Sequence, residues 1–123
     1  MYTIVLAGGL GKRMNSDIPK VLHKVNDIPM ICHVIREAFK LDATKILVVV
    51  GKYKTKINTA IQQFLTKSEY RKIVYVIQEE QIVNGSPKTM GTGDAIRCCI
   101  PKLTELRRTG EEDVVILSGD VPL

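Results

Sequence analysis

An apolar, β-branched run that ends abruptly in glycines constrains this chain most. Thr3-Ile4-Val5-Leu6-Ala7 has the composition of a buried strand, and Gly8, Gly9 and Gly11 follow it at once, so a strand must end where a loop begins. In an open α/β sheet the ligand crevice lies beyond such strand ends. Three glycines in four positions remove the Cβ atoms that would hold a ligand off the backbone. They also admit positive φ angles that turn successive N–H groups toward one anion. Arg13 adds a planar fork suited to phosphate oxygens, and Lys20 a mobile point charge. A polyphosphate is the guest that suits this combination.

Two familiar phosphate loops fail on spacing. A Walker-type loop needs Gly-Lys followed by Ser or Thr for magnesium, and Gly11-Lys12 is followed by Arg13. A dinucleotide fingerprint needs a third glycine where Met14 stands. Leu6-Ala7-Gly8-Gly9-Leu10-Gly11-Lys12-Arg13-Met14, with Pro19-Lys20 shortly after, instead resembles the signature L-A-[AG]-G-x-G-x-R-[ML] of the sugar-phosphate nucleotidyltransferases. Within that family, Ser16-Asp17-Ile18-Pro19-Lys20-Val21-Leu22-His23 is most similar to the N-acetylglucosamine-1-phosphate uridylyltransferase branch.

At 123 residues the chain has room for one domain, spanning 1–123, whose core takes up roughly two thirds of the unfolded surface. No apolar run approaches the ~20 residues needed to cross a bilayer, and the apolar start leads into glycines instead of a cleavage site, so neither membrane nor signal peptide is expected. Cys32, Cys98 and Cys99 form no C-x-x-C pair and cannot all pair within one chain, which suits a reducing, cytoplasmic setting and burial on helices as small apolar residues. The net charge of +5 is spread over small groups such as Lys52-Lys54-Lys56, Lys67-Arg71-Lys72 and Arg107-Arg108. Few aromatics interleave with them, so no nucleic-acid partner is expected.

Strand and helix patterns alternate along the chain. Val21, Leu22 and Val25 are expected to pack the loop's return onto the sheet. Asp27 is a candidate helix cap with Pro29 in the first turn, ahead of Ile31, Val34, Ile35, Ala38 and Phe39 at helical spacing. Lys45 to Val50, closed by Gly51, reads as a central strand buried on both faces. Ile57, Ala60, Ile61, Phe64 and Leu65 predict a helix from about Thr55 to Lys67, and Ile73 to Ile77 another strand. Gln78 to Met90 reads as a loop around the turn cluster Asn84-Gly85-Ser86-Pro87. A helix from about Gly91-Thr92-Gly93, with Thr92 as cap, carries Ala95, Ile96, Cys99, Ile100 and Leu103. A polar stretch from Thr104 to Asp113 leads to the last strand, Val114 to Leu117, ending at Ser118-Gly119-Asp120. The expected fold is therefore α/β, a mostly parallel sheet with helices on both faces. Its glycine loop, the Gln78 to Thr92 segment and Asp120 all lie on one rim.

The resemblance implies a Rossmann-like nucleotidyltransferase fold (GT-A type) and a set of roles. Leu6, Ala7, Gly8, Gly9 and Gly11 would line the nucleotide, Arg13 would stabilise the leaving pyrophosphate, and Lys20 would bridge phosphates at the reacting centre. Asp120, in Gly119-Asp120-Val121-Pro122-Leu123, is similar to the family's G-D-[VT]-P-L motif and would hold Mg²⁺. A carboxylate past a strand end suits a hard, oxygen-seeking cation. Gln78-Glu79-Glu80-Gln81 and Gly91-Thr92-Gly93 resemble the base-recognition segment Q-x-x-Q-x-G-T-[GA], which implies uracil read by Gln78, Gln81, Gly91 and Thr92. Two departures stand out. Ile82 to Met90 fills a gap that the family usually spans with one residue, and Ser118 stands where the branch often has Tyr. Glu79, Glu80, His23 and His33 take no chemical role.

The implied activity is transfer of a uridylyl group from UTP to a sugar 1-phosphate, N-acetylglucosamine 1-phosphate on the branch resemblance. The alternative is a non-catalytic nucleotide-binding or interaction module derived from such an enzyme. The resemblance covers the whole chain but only about the first half of the family's catalytic domain, so the sheet is expected to be incomplete at its C-terminus. A fragment, a half that associates with a missing C-terminal half or with itself, and a degenerate relative all fit that expectation.

Overall fold

The computed structural model describes residues 1–8, 18–79, 81–88, 91–106 and 112–119. In chain order these form β1 (Tyr2–Leu6), a 3-10 turn (Lys20–Leu22), β2 (Lys24–Val25), β3 (Ile28–Pro29), α1 (Met30–Lys40), β4 (Lys45–Val50) and α2 (Lys54–Phe64). Then follow α3 (Lys67–Tyr70), β5 (Ile73–Ile77), β6 (Gln81–Val83), β7 (Ser86–Lys88), α4 (Gly91–Leu106) and β8 (Val114–Ser118). Four strands pair in the order β5-β4-β1-β8, all parallel, with Leu6 opposite both Val49 and Ser118, and Val50 opposite Ile77. Their carboxyl ends therefore share one edge of the sheet.

The order reverses direction once. The chain moves from β1 to β4 to β5 with α1 and α2 on one face, then returns past two strands to β8 with α4 on the other face. Reversing the direction while changing the face keeps every crossover of the same hand, which the right-handed rule for parallel connections demands. This is a Rossmann-like sheet, and its switch point lies between β1 and β8.

The two faces divide β4 between them. Ile46, Val48 and Val50 enter the core under α1 and α2, where Ile31, Val34, Ile35, Ile57 and Ile61 meet them. Leu47 and Val49 enter the second core, with Ile4, Val76, Ala95 and Cys99 under α4. All five are fully buried, so the unbroken apolar run is the signature of a strand covered on both sides. Tyr2 reaches across to donate its hydroxyl to Leu106 O at 2.8 Å, which satisfies a carbonyl in the last turn of α4.

Several sequence expectations shift. Asp27 does not cap α1: Asn26 and Asp27, at φ 53° and 64°, form the two-residue turn of the β2–β3 hairpin, the backbone pattern of a type I′ turn. Pro29 stands at the helix cap without a side-chain bond. Val25, in that hairpin, is exposed and does not pack on the sheet, while Val21 is buried. The predicted Thr55 to Lys67 helix ends at Phe64, and Thr66 opens the separate α3 by a reciprocal capping box with Glu69, at 3.1 and 2.9 Å. Residues 81–88 are a hairpin where a loop was expected, with Asn84 and Gly85 at φ 52° and 80° in its turn. Thr92 lies inside the first turn of α4 instead of capping it. Ile100 is exposed, because α4 turns the narrower stripe Ala95, Cys99, Leu103 and Leu106 to the sheet. Among the described residues no helix is long and apolar enough to cross a membrane.

The cysteines lie on helices as expected. Cys32 and Cys99 are fully buried and Cys98 is half-buried. Burial pushes the thiols of Cys32 and Cys99 up to about 11. At pH 8 only about one molecule in a thousand would carry either thiolate, and access is blocked as well. Alkylation of the native chain at pH 8, read by peptide mass spectrometry, should modify Cys98 first and reach the other two only on unfolding. Equal labelling of all three in the native chain would contradict this packing.

Candidate functional site

The carboxyl edge of the sheet is built by close backbone approaches. After β1, Ala7 N donates to Val49 O at 2.9 Å, which carries the chain toward β4. A Cβ on Gly8 would lie 3.1 Å from the Val50 carbonyl carbon and 3.3 Å from Gly51 N. Gln78 N in turn donates to Val50 O at 2.9 Å, and a Cβ on Gly51 would meet Gln78 O at 3.5 Å. Gly8, Gly51 and Gln78 thus form one ledge across the ends of β1, β4 and β5, with bare backbone at two of its three positions. On the other side of β1, Gly119 N donates to Leu6 O at 2.9 Å. A Cβ there would stand 2.9 Å from that oxygen and 3.2 Å from Val21 Cγ1.

That last contact ties two sequence-distant segments together. Val21 is buried beneath the strand ends, and the 3-10 turn it sits in is closed by Leu22 N to Pro19 O and His23 N to Lys20 O, both 3.0 Å. Lys20, half-buried at the start of this turn, is therefore held next to the Gly119 strand end. His33 Nε2 lies 2.7 Å from Val25 O and His23 Nε2 3.3 Å from Ile18 O, contacts to backbone that fit their structural assignment.

Gln78 is 2% exposed, and its amide is engaged. Nε2 donates to Gly91 O at 3.0 Å and to Asp94 Oδ2 at 3.2 Å. Arg97 completes the group, with Nε at 3.0 Å and Nη2 at 2.6 Å from Asp94 Oδ1. The Arg97 hydrogen bonds first, and the Gln78 bond second, hold the Asp94 carboxyl below the usual carboxylate range. The structure therefore brings Gln78 and Gly91 together, with exposed Thr92 beside them, while Gln81 opens β6 three residues further on.

Gly9, Gly11, Arg13 and Asp120 lie outside the described residues, as does Glu80. Among the described residues no three His, Cys, Asp or Glu side chains cluster as metal ligands. A separate groove of about 490 Å³ lies between the β2–β3 hairpin and α2, lined by Ile18, Leu22, Ile28, Pro29 and Phe64 with Lys24 and Lys56 at its sides. Its lining contains no glycine and no residue that directly follows a strand of the four-stranded sheet. The sequence motifs single out neither Gly51 nor Asp94. Gly51 carried the same signal as Gly8, a glycine directly after a buried strand.

Residues 3–123 match the MobA-like NTP transferase domain. The chain belongs to that family. It is 42% identical over 123 residues to a "Probable UDP-N-acetylglucosamine pyrophosphorylase" of Acanthamoeba polyphaga mimivirus, covering all of this chain and 42% of that protein. It is 39% identical over 124 residues to a "Bifunctional protein GlmU" of Bordetella parapertussis, covering all of this chain and 24% of that protein. The chain thus spans less than half the length of either relative. In fold it is similar to HddC from Yersinia pseudotuberculosis, a structure complexed with GMP-PN, with a TM-score of 0.68 and 22% identity over 97% of this chain and 47% of that one. The family assignment bears out the nucleotidyltransferase resemblance, and the structural neighbour the Rossmann-like fold.

Gly119→Ala should destabilise the chain by roughly 1–3 kcal/mol, since the new methyl must displace a backbone oxygen. Gly93→Ala, which meets no atom within 4 Å, should be neutral or stabilise α4 by up to ~1 kcal/mol. Denaturant melts of both variants test the ledge, and equal midpoints for the two would contradict the close approach at Gly119.

Proposed function

We propose that this chain, residues 1–123, is the nucleotide-binding half of a sugar-1-phosphate uridylyltransferase, which transfers a uridylyl group from UTP to N-acetylglucosamine 1-phosphate. The observation that carries the reading is the ledge Gly8–Gly51–Gln78 with the Gln78 amide fixed beside Gly91. It offers bare backbone for phosphates at one end and a polar edge for a base at the other. The identity to a relative named for UDP-N-acetylglucosamine supports the choice of sugar.

In the proposed reaction a phosphate oxygen of the sugar phosphate attacks the α-phosphorus of UTP, and the bond to pyrophosphate breaks. Such a reaction needs positioning and charge neutralisation more than covalent help. Gly8, Gly9 and Gly11, with Leu6 and Ala7 before them, would cradle the triphosphate with main-chain N–H groups. Arg13 would balance charge on the leaving pyrophosphate, and Lys20, held next to the Gly119 strand end, would bridge phosphates. Gln78, Gln81, Gly91 and Thr92 would read the uracil edge.

Asp120 follows the strand end that Gly119 pins to Leu6 O. Its carboxylate would supply one oxygen to Mg²⁺, with phosphates and water supplying the others. When bound, the ion would neutralise phosphate charge.

Calorimetric titration with UTP, CTP, ATP and GTP, each with and without Mg²⁺, tests this reading. UTP should bind most tightly, more so with Mg²⁺, and Lys20→Ala should weaken UTP by about tenfold, the loss of one charge-assisted contact. A folded chain that binds no nucleotide, or binds all four alike, would overturn it.

A further inference from the structure

Both partners of the Gln78 amide are acceptors. A backbone carbonyl and a carboxylate can receive hydrogen bonds but not give them, so the nitrogen of Gln78 must face Gly91 O and Asp94 Oδ2. A rotated amide would set Oε1 against two oxygens, so a side chain that is itself only 2% exposed would lose both hydrogen bonds. Oε1 is left as the group with which Gln78 can meet a ligand, and it can only accept.

We propose that Asp94, held in place by Arg97, is a positioning residue that locks Gln78 as an acceptor and so selects uracil over cytosine. The inference rests on the reading of Gln78 as a base-contacting group. Uracil carries N–H at ring position 3, which an acceptor satisfies. Cytosine carries a bare lone pair there, which needs a donor. A freely rotating glutamine serves either base, whereas a locked one rejects the second by facing oxygen with nitrogen's lone pair. Arg97 acts on the far oxygen, Oδ1, at 2.6 and 3.0 Å, and leaves Oδ2 aimed at Gln78. Both partners of this lock come from the start of α4, so the helix that follows the 81–88 hairpin sets the base preference.

The test is calorimetric binding of UTP and CTP by the wild-type chain and by Asp94→Asn and Asp94→Ala, together with NMR exchange rates of the Gln78 Nε2 protons without ligand. Asparagine can offer Gln78 a donor where aspartate cannot, and alanine offers nothing. The ratio of CTP to UTP dissociation constants should fall about tenfold in both variants, the effect of removing one charge-assisted hydrogen bond. The fold and the Mg²⁺ dependence should stay intact. In the wild type the Nε2 protons should exchange slowly, and in Asp94→Ala faster. Folded Asp94 variants that keep the full ratio would overturn the lock while leaving the uridylyl reading standing. Fast Nε2 exchange in the folded wild type would overturn it without any nucleotide. A wild-type chain without UTP preference would fail the reading itself, and the lock with it.

Discussion

Strand β1 pairs on both sides, with β4 and with β8, and the rest of the molecule depends on that double pairing. It puts the first strand of the chain inside the sheet and forces the strand order to reverse there. Two crossovers lie on one face and the third returns on the other, so two cores form back to back and β4 must be apolar on both sides. The reversal also places the switch point of the sheet at the carboxyl ends of β1 and β8, where an open α/β sheet leaves its crevice. Leu6, Gly8 and Gly119 occupy that opening as a consequence of the pairing.

The glycines then do by subtraction what the strands do by position. Gly8 stands over the end of β4 and Gly119 over the end of β1, at separations where a methyl carbon would strike backbone atoms. No side chain therefore projects from the ledge at Gly8 or Gly51. Beside it, polar groups are held by their neighbours and not by the strand itself. Gln78 is fixed by the start of α4, and Lys20 by a turn whose middle residue, Val21, is buried against Gly119. Surface ion pairs such as Lys40–Glu37 and Lys102–Glu105 contribute little by comparison. Asp94 with Arg97 differs from them because the same carboxylate also receives a bond from a buried amide.

The sheet was legible because it rests on composition. Thr3 to Ala7, Lys45 to Val50, Ile73 to Ile77 and Val114 to Leu117 are β-branched runs, and the structure places a strand within a residue of each. The glycine that closes a run marked the site edge for the same reason. What sequence reasoning lost were local signals overruled by a longer pattern. Asn84-Gly85 is a strong hairpin turn, yet the polar residues around it read as loop. Thr66-Lys67-Ser68-Glu69 is a capping box, hidden by the apolar spacing that continued through Leu65. Asp27 reads as a helix cap because it precedes an apolar face, although its αL backbone belongs to a hairpin. The link between Gln78 and Asp94 spans sixteen residues, and no spacing rule reaches that far.

The central claim is that the ligand lies on the carboxyl edge of the sheet, along the ledge from Gly8 to Gln78. The direct measurement is a ¹⁵N NMR titration of the chain with UTP and Mg²⁺, following every backbone amide. The account predicts that the largest shifts fall on Ala7, Gly8, Gly51, Gln78, Gly91 to Gly93 and Gly119, while Tyr2, Lys45 and Ile73 at the opposite ends of the strands stay still. Shifts centred on the groove between the β2–β3 hairpin and α2, or spread along the amino ends of the strands, would contradict it.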